Sequence, residues 1–105
     1  MVEESALSRR SDPLARHAAA PAEILIYGDI GLPGDESTVT ATSIAQQLRQ
    51  FDGTSTISVR INSAGGSVFE GLTIYQQFIR HPANIHVTVD GLAASIASVI
   101  AMAGD

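Results

Sequence analysis

The 105 residues suffice for one domain and no more, and with 45% hydrophobic and 16% charged residues the chain lies outside the composition of disordered proteins. A net charge of −5 disfavours binding to a phosphate backbone, so no nucleic-acid partner is expected. The chain has no Lys, hence no lysine base, and no Cys, hence no disulfide, thiol nucleophile or cysteine-ligated zinc.

Residues 1–21 carry only Val2, Leu7 and Leu14 as sizeable apolar groups and follow neither the strand nor the helix period, so they read as an N-terminal arm preceding a domain over residues 22–105. No apolar stretch approaches the ~20 residues of a membrane span. Arg9-Arg10 and Ala18-Ala19-Ala20 have no apolar segment between them, so no export signal is read, no membrane partner is expected, and a cytoplasmic location is the default. Ile24-Leu25-Ile26-Tyr27 predicts a first strand, halted by Gly28-Asp29 and by the Gly31–Asp35 cluster. Ala41, Ile44, Ala45 and Leu48 recur at helical spacing between Thr38 and Gln50, with Ser37 as the expected N-cap and Asp52-Gly53 as the stop.

Ile57, Val59 and Ile61 alternate with polar residues in a second strand that ends in Ser63-Ala64-Gly65-Gly66. Ser67 and Glu70 fit a capping box in which each side chain bonds the other's amide. The helix they open places Val68, Leu72, Tyr75 and Ile79 on one apolar stripe and ends near Arg80, because Pro82 biases His81 out of the helical region. Ile85, Val87 and Val89 mark a third strand stopping at Gly91, and the segment from Ala93 to Ala103, small or apolar on all sides, predicts a helix buried in the core or beneath a subunit contact. Alternating strands and helices imply an α/β fold with parallel strands, whose ligands gather beyond the strands' C-terminal ends.

Two loops occupy those ends. Ser95, at the first turn of a helix, would hold its hydroxyl near free amides, and the small neighbours Gly91, Ala93 and Ala94 would let a peptide backbone approach. The Ile96 amide and one of the Gly65-Gly66 amides are the available oxyanion donors. The bland alternative leaves Ser95 an ordinary N-cap and Gly65-Gly66 an ordinary turn.

Ile61-Asn62-Ser63-Ala64-Gly65-Gly66-Ser67-Val68, followed by Gly91-Leu92-Ala93-Ala94-Ser95 with twenty-nine positions from Gly66 to Ser95, resembles the ClpP-like serine proteases. Residues 24–30 and 95–105 are most similar to the ClpP-related head maturation proteases of tailed phages. The resemblance spans about residues 23–105. It implies the ClpP/crotonase-like fold of repeated ββα units, here its N-terminal portion. It also implies a serine endopeptidase acting on polypeptide, such as capsid or scaffold protein, in a homo-oligomeric ring. Ser95 would be the nucleophile, the amides of Gly66 and Ile96 the oxyanion hole, and Gly65 would shape the loop. Ala64 departs from the proline usual there, which loosens the loop without obstructing its amides.

The family's catalytic His follows its Ser by some two dozen positions, and its Asp comes later still, whereas ten residues follow Ser95. His17, His81 and His86 read as surface histidines and Asp90 as a turn residue. The chain is therefore expected to be the N-terminal portion of a longer protease and nearly inert alone. Two alternatives stand beside this: a non-catalytic ring-forming scaffold of the same fold, and a Ser/Lys signal-peptide-peptidase-like enzyme, for which this chain holds no lysine. No phosphate loop, metal cluster or dinucleotide fingerprint appears, so no cofactor is expected, and the sequence does not specify an ATP-driven unfoldase partner.

Overall fold

The computed structural model describes residues 22–105; the expected arm at residues 1–21 lies outside them. Among the described residues three strands and three helices alternate: β1 (Ala22–Tyr27), α1 (Ala41–Gln50), β2 (Thr56–Ser63), α2 (Val68–Arg80), β3 (Asn84–Ala93) and α3 (Ile96–Ala101). The strands form one parallel sheet in the order β1-β2-β3, with Ile24 opposite Val59 and Val59 opposite Val87.

Alternation along the strands produces two unlike sheet faces. Ile24, Ile26, Ile57, Val59, Ile61 and Ile85 are buried and join Ile44 and Leu48 of α1, Ile74 and Phe78 of α2, and Ile96 and Ile100 of α3 in one core. Each such side chain contributes roughly 1.5–3 kcal/mol by leaving water. The opposite face is exposed and carries Leu25, Tyr27, Arg60, Thr88 and Asp90.

Several expectations are corrected. Thr40, not Ser37, caps α1: its hydroxyl accepts the Ser43 amide at 3.2 Å while Ser43 Oγ accepts the Thr40 amide at 3.2 Å. Ser37 is occupied in a turn, its amide and hydroxyl both donating to Asp35 Oδ1. The reciprocal box at α2 is half formed. Ser67 Oγ accepts the Glu70 amide at 3.2 Å, but the Ser67 amide is already committed to the Ile30 carbonyl at 2.7 Å. Glu70 therefore crosses to α1, where its carboxylate accepts the Ala41 amide at 2.9 Å and places an acidic group at that helix's positive end.

The buried face of α2 is Gly71, Ile74 and Phe78, not the expected stripe; Val68, Leu72 and Ile79 are 53%, 43% and 51% exposed. Gly71 lets α2 come close to α3, since a Cβ there would collide with the Ile96 side chain. β3 does not stop at Gly91. Its register shifts where Asn62 stands between the pairs Ile61–Val89 and Ser63–Ala93, so residues 90–92 bulge and the strand resumes at Ala93. Running the strand to Ala93 and turning at Ala94-Ser95 leaves six residues for α3, fewer than the expected Ala93–Ala103 helix.

Candidate active site

The loops after β2 and β3 meet at the C-terminal end of the sheet. After Tyr27 the chain continues alongside the β2 loop: the Gly28 amide donates to the Asn62 carbonyl and the Ile30 amide to the Gly65 carbonyl, both at 2.9 Å. The Ser67 amide returns a bond to the Ile30 carbonyl. These two bonds flank Gly66 in a parallel bridge to Ile30, a pattern that turns the Gly66 amide away from Ile30. Among the described residues the Gly66 amide donates to no protein group. Gly66 has φ +147, and a Cβ there would strike the Ile30 carbonyl oxygen, so only glycine fits.

Gly65 has φ +105 and abuts Ser95: a Cβ on it would lie 2.7 Å from Ser95 Cβ and 3.2 Å from Ser95 Oγ. Its amide is bound by Ser63 Oγ at 3.0 Å. Of the two glycine amides, that of Gly66 is thus the one left for a ligand.

Ser95 has φ 55, the one non-glycine residue with positive φ among those described. This is a backbone conformation that side-chain-bearing residues adopt at a cost. Its carbonyl is fixed by the Ser98 amide at 3.0 Å and Ser98 Oγ at 2.6 Å. Although Ser95 precedes α3, its side chain makes no capping bond. It is exposed, and among the described residues its hydroxyl has no hydrogen-bond partner. The Ile96 amide, at the first position of α3, likewise donates to none of them.

The remaining titratable groups lie elsewhere. His86 pairs with Ser58, seven residues before the end of β3, which puts it about 23 Å along the strand from Ala93 at ~3.3 Å per residue. His81 precedes β3, and its Nδ1 accepts the Ala83 amide at 3.1 Å. Asp90 is a strand residue, not a turn residue. On the open sheet face its carboxylate takes a two-pronged bond from Arg60, Nη2 at 2.6 Å and Nε at 2.8 Å, and accepts the Tyr27 hydroxyl. The hydrogen bond from Arg60, then that from Tyr27, holds the Asp90 carboxyl below the usual carboxylate range. The hydrogen bond to Asp90 raises the Tyr27 phenol. Sequence reasoning missed this trio; its only sign was the residues' shared parity, visible once the register is known.

Residues 15–105 match the Clp protease family. The chain belongs to that family. An ATP-dependent Clp protease proteolytic subunit of Leuconostoc citreum is 34% identical over 109 aligned residues, covering the whole of this chain and 51% of the relative. One of Bacteroides fragilis is 40% identical over 68 residues, covering 62% of this chain and 33% of the relative. Among solved structures, ClpP1 from Listeria monocytogenes superposes with a TM-score of 0.68 at 30% identity, over 79% of this chain and 46% of that one. Its N165D mutant gives a TM-score of 0.71 at 29% identity, over 88% and 52%. This chain thus spans from a third to about half of these relatives' lengths. The α/β fold with a parallel sheet is the ClpP fold, as the sequence motif implied. Among the described residues no helix is long and apolar enough to cross a membrane.

Proposed function

We propose that this chain supplies the nucleophile and oxyanion donors of a serine endopeptidase. Ser95 Oγ attacks the scissile carbonyl, the amides of Gly66 and Ile96 bind the developing oxyanion, and Gly65 leaves the space the hydroxyl needs. The observation that carries this is Ser95 itself: a serine at φ 55 on a strand-to-helix turn, with no capping role and, beside it on the loops, two amides that donate to none of the described residues. Backbone strain of this kind persists where the surrounding structure over-determines it, commonly at reacting residues. A serine hydroxyl requires a positioned base. Since His81 and His86 stand away from the strands' C-terminal ends, the base comes from beyond the described residues.

The name these relatives share, proteolytic subunit, supports a polypeptide substrate and a place in a multisubunit assembly. Their stated ATP dependence supports an ATP-driven partner, and a cytoplasmic setting fits both. The likeness of residues 24–30 and 95–105 to head maturation proteases favours capsid or scaffold protein as the substrate. A fluorophosphonate probe should label Ser95 in the full-length protein and barely label the 105-residue chain. Labelling at Ser63, Ser67 or Ser98, or full proteolysis by Ser95→Ala, would refute the assignment.

A further inference from the structure

One buried side chain joins the two loops that the proposed chemistry depends on. Ser63, the last residue of β2, is 3% exposed. Its Oγ accepts the Gly65 amide at 3.0 Å, and its carbonyl accepts the Ala94 amide at 3.1 Å. It therefore holds, through one residue, the glycine before Gly66 and the residue before Ser95. We propose that Ser63 is a positioning residue that sets the separation between the Gly66 amide and the Ser95 hydroxyl; this rests on the reading of Ser95 as nucleophile.

Three observations make the tie specific. First, the loop has one anchor on each side. Outside, Ile30 binds the Gly65 carbonyl and the Ser67 amide; inside, Ser63 Oγ binds the Gly65 amide. Removing the inner anchor leaves the amide of a buried glycine without a partner, a situation that native structures avoid and that the loop can relieve only by moving. Second, Ala64 does not fix its own φ as a proline would, so the hydroxyl is the constraint that closes the turn from Ser63 to Gly65. Third, Ser63 forms the first β2–β3 pair after the bulge, opposite Ala93, and so re-anchors the strand immediately before the turn that presents Ser95. With Gly65 directly against Ser95, movement of the loop displaces the Gly66 amide relative to the hydroxyl. An oxyanion donor acts only at hydrogen-bond distance from where the charge develops, so such displacement weakens transition-state binding more than ground-state binding.

The test uses the full-length protein, with peptide hydrolysis, affinity for a peptide boronate that forms a tetrahedral adduct, and hydrogen exchange across residues 62–66. Ser63→Ala should lower kcat about 10-fold or more with KM changed less than about 2-fold, because one oxyanion donor is misplaced while substrate contacts remain. Boronate affinity should fall in parallel and exchange in the loop should accelerate. Ser63→Cys fills the same space with a weaker acceptor and should show the same split at smaller amplitude, which covers the case in which the alanine variant does not fold. Unchanged kcat and boronate affinity in either variant, or a rise in KM alone, overturns the role of Ser63 while Ser95→Ala remains inactive. Proteolysis retained by Ser95→Ala instead overturns the protease reading itself.

Discussion

Gly66 is the residue at which backbone geometry and proposed chemistry constrain each other most tightly. Its positive φ and the Ile30 carbonyl beside it exclude any side chain, while the bridge to Ile30 turns its amide away, where it donates to none of the described residues. On the proposed chemistry, Gly66→Val should therefore lower turnover in the full-length protein roughly 10²-fold or more, since the donor moves with the loop. A steady-state assay reading near-native turnover would show that another amide serves the oxyanion. On the open face, the Tyr27–Asp90–Arg60 trio has an opposite pH signature at each end of the scale. The folded Asp90 carboxyl is held low, so its stabilising contribution is present above the unfolded value and is lost as pH falls through the folded one. The folded Tyr27 phenol is raised, so its contribution is full below the unfolded value and is lost as pH rises through the folded one. Chemical denaturation across pH should therefore show Tyr27→Phe removing the alkaline loss that depends on this phenol while leaving an acid loss from Asp90; an unaltered alkaline limb would refute the coupling.

The helices separate what sequence periodicity resolves from what it does not. On α2 two apolar stripes coexist, Val68-Leu72-Tyr75-Ile79 and Gly71-Ile74-Phe78, and periodicity alone does not say which faces the sheet. The deciding feature is Gly71, which admits Ile96 of α3 and so turns Ile74 and Phe78 inward. Phe78→Ala should cost about 3–5 kcal/mol and Ile79→Ser no more than about 0.5 kcal/mol in denaturant titrations, and a reversed ranking would mean the helix is rotated. The strands were more legible, because an alternation of period two admits only two faces and the apolar set of each strand selects one. Caps were less so: Ser37 and Thr40 are both acceptable N-caps, and Glu70 was drawn to α1 because Ile30, 37 positions upstream of Ser67, takes the amide it was expected to bind. The glycine pair and the serine of the candidate site could be read in the sequence because their spacing matches a known motif. The role of Ser63 could not, because it arises from a turn closed on one side and a strand pairing on the other.

At the scale of the whole molecule, the expectation of self-association stands on a different surface from the one the sequence suggested. α3 is short, and its apolar residues Ile96, Ala97 and Ile100 are buried in the core. Among the described residues an exposed apolar group lies instead on α2, where Val68, Leu72 and Ile79 share a stripe and Phe69, 84% exposed, stands beside its N-terminal end. Single exposed apolar residues are ordinary, but a contiguous group on one helix marks an association surface. This group begins two residues after Gly66, so a neighbour seated on it would also border the loop that carries the proposed oxyanion donor. The full-length protein should sediment as an oligomer at micromolar concentration. Phe69→Glu combined with Leu72→Glu should shift it toward smaller species, because two carboxylates would have to be desolvated at the contact without partners. Both positions are exposed in the described chain, so circular dichroism and the melting temperature of the separated subunit should change little. Activity should fall as the protein is diluted through the dissociation range and return on concentration, as expected if the assembly supplies or orders part of the site. A variant that remains fully assembled would assign the association surface elsewhere, with the open sheet face bearing Leu25 and Tyr27 the next to be substituted.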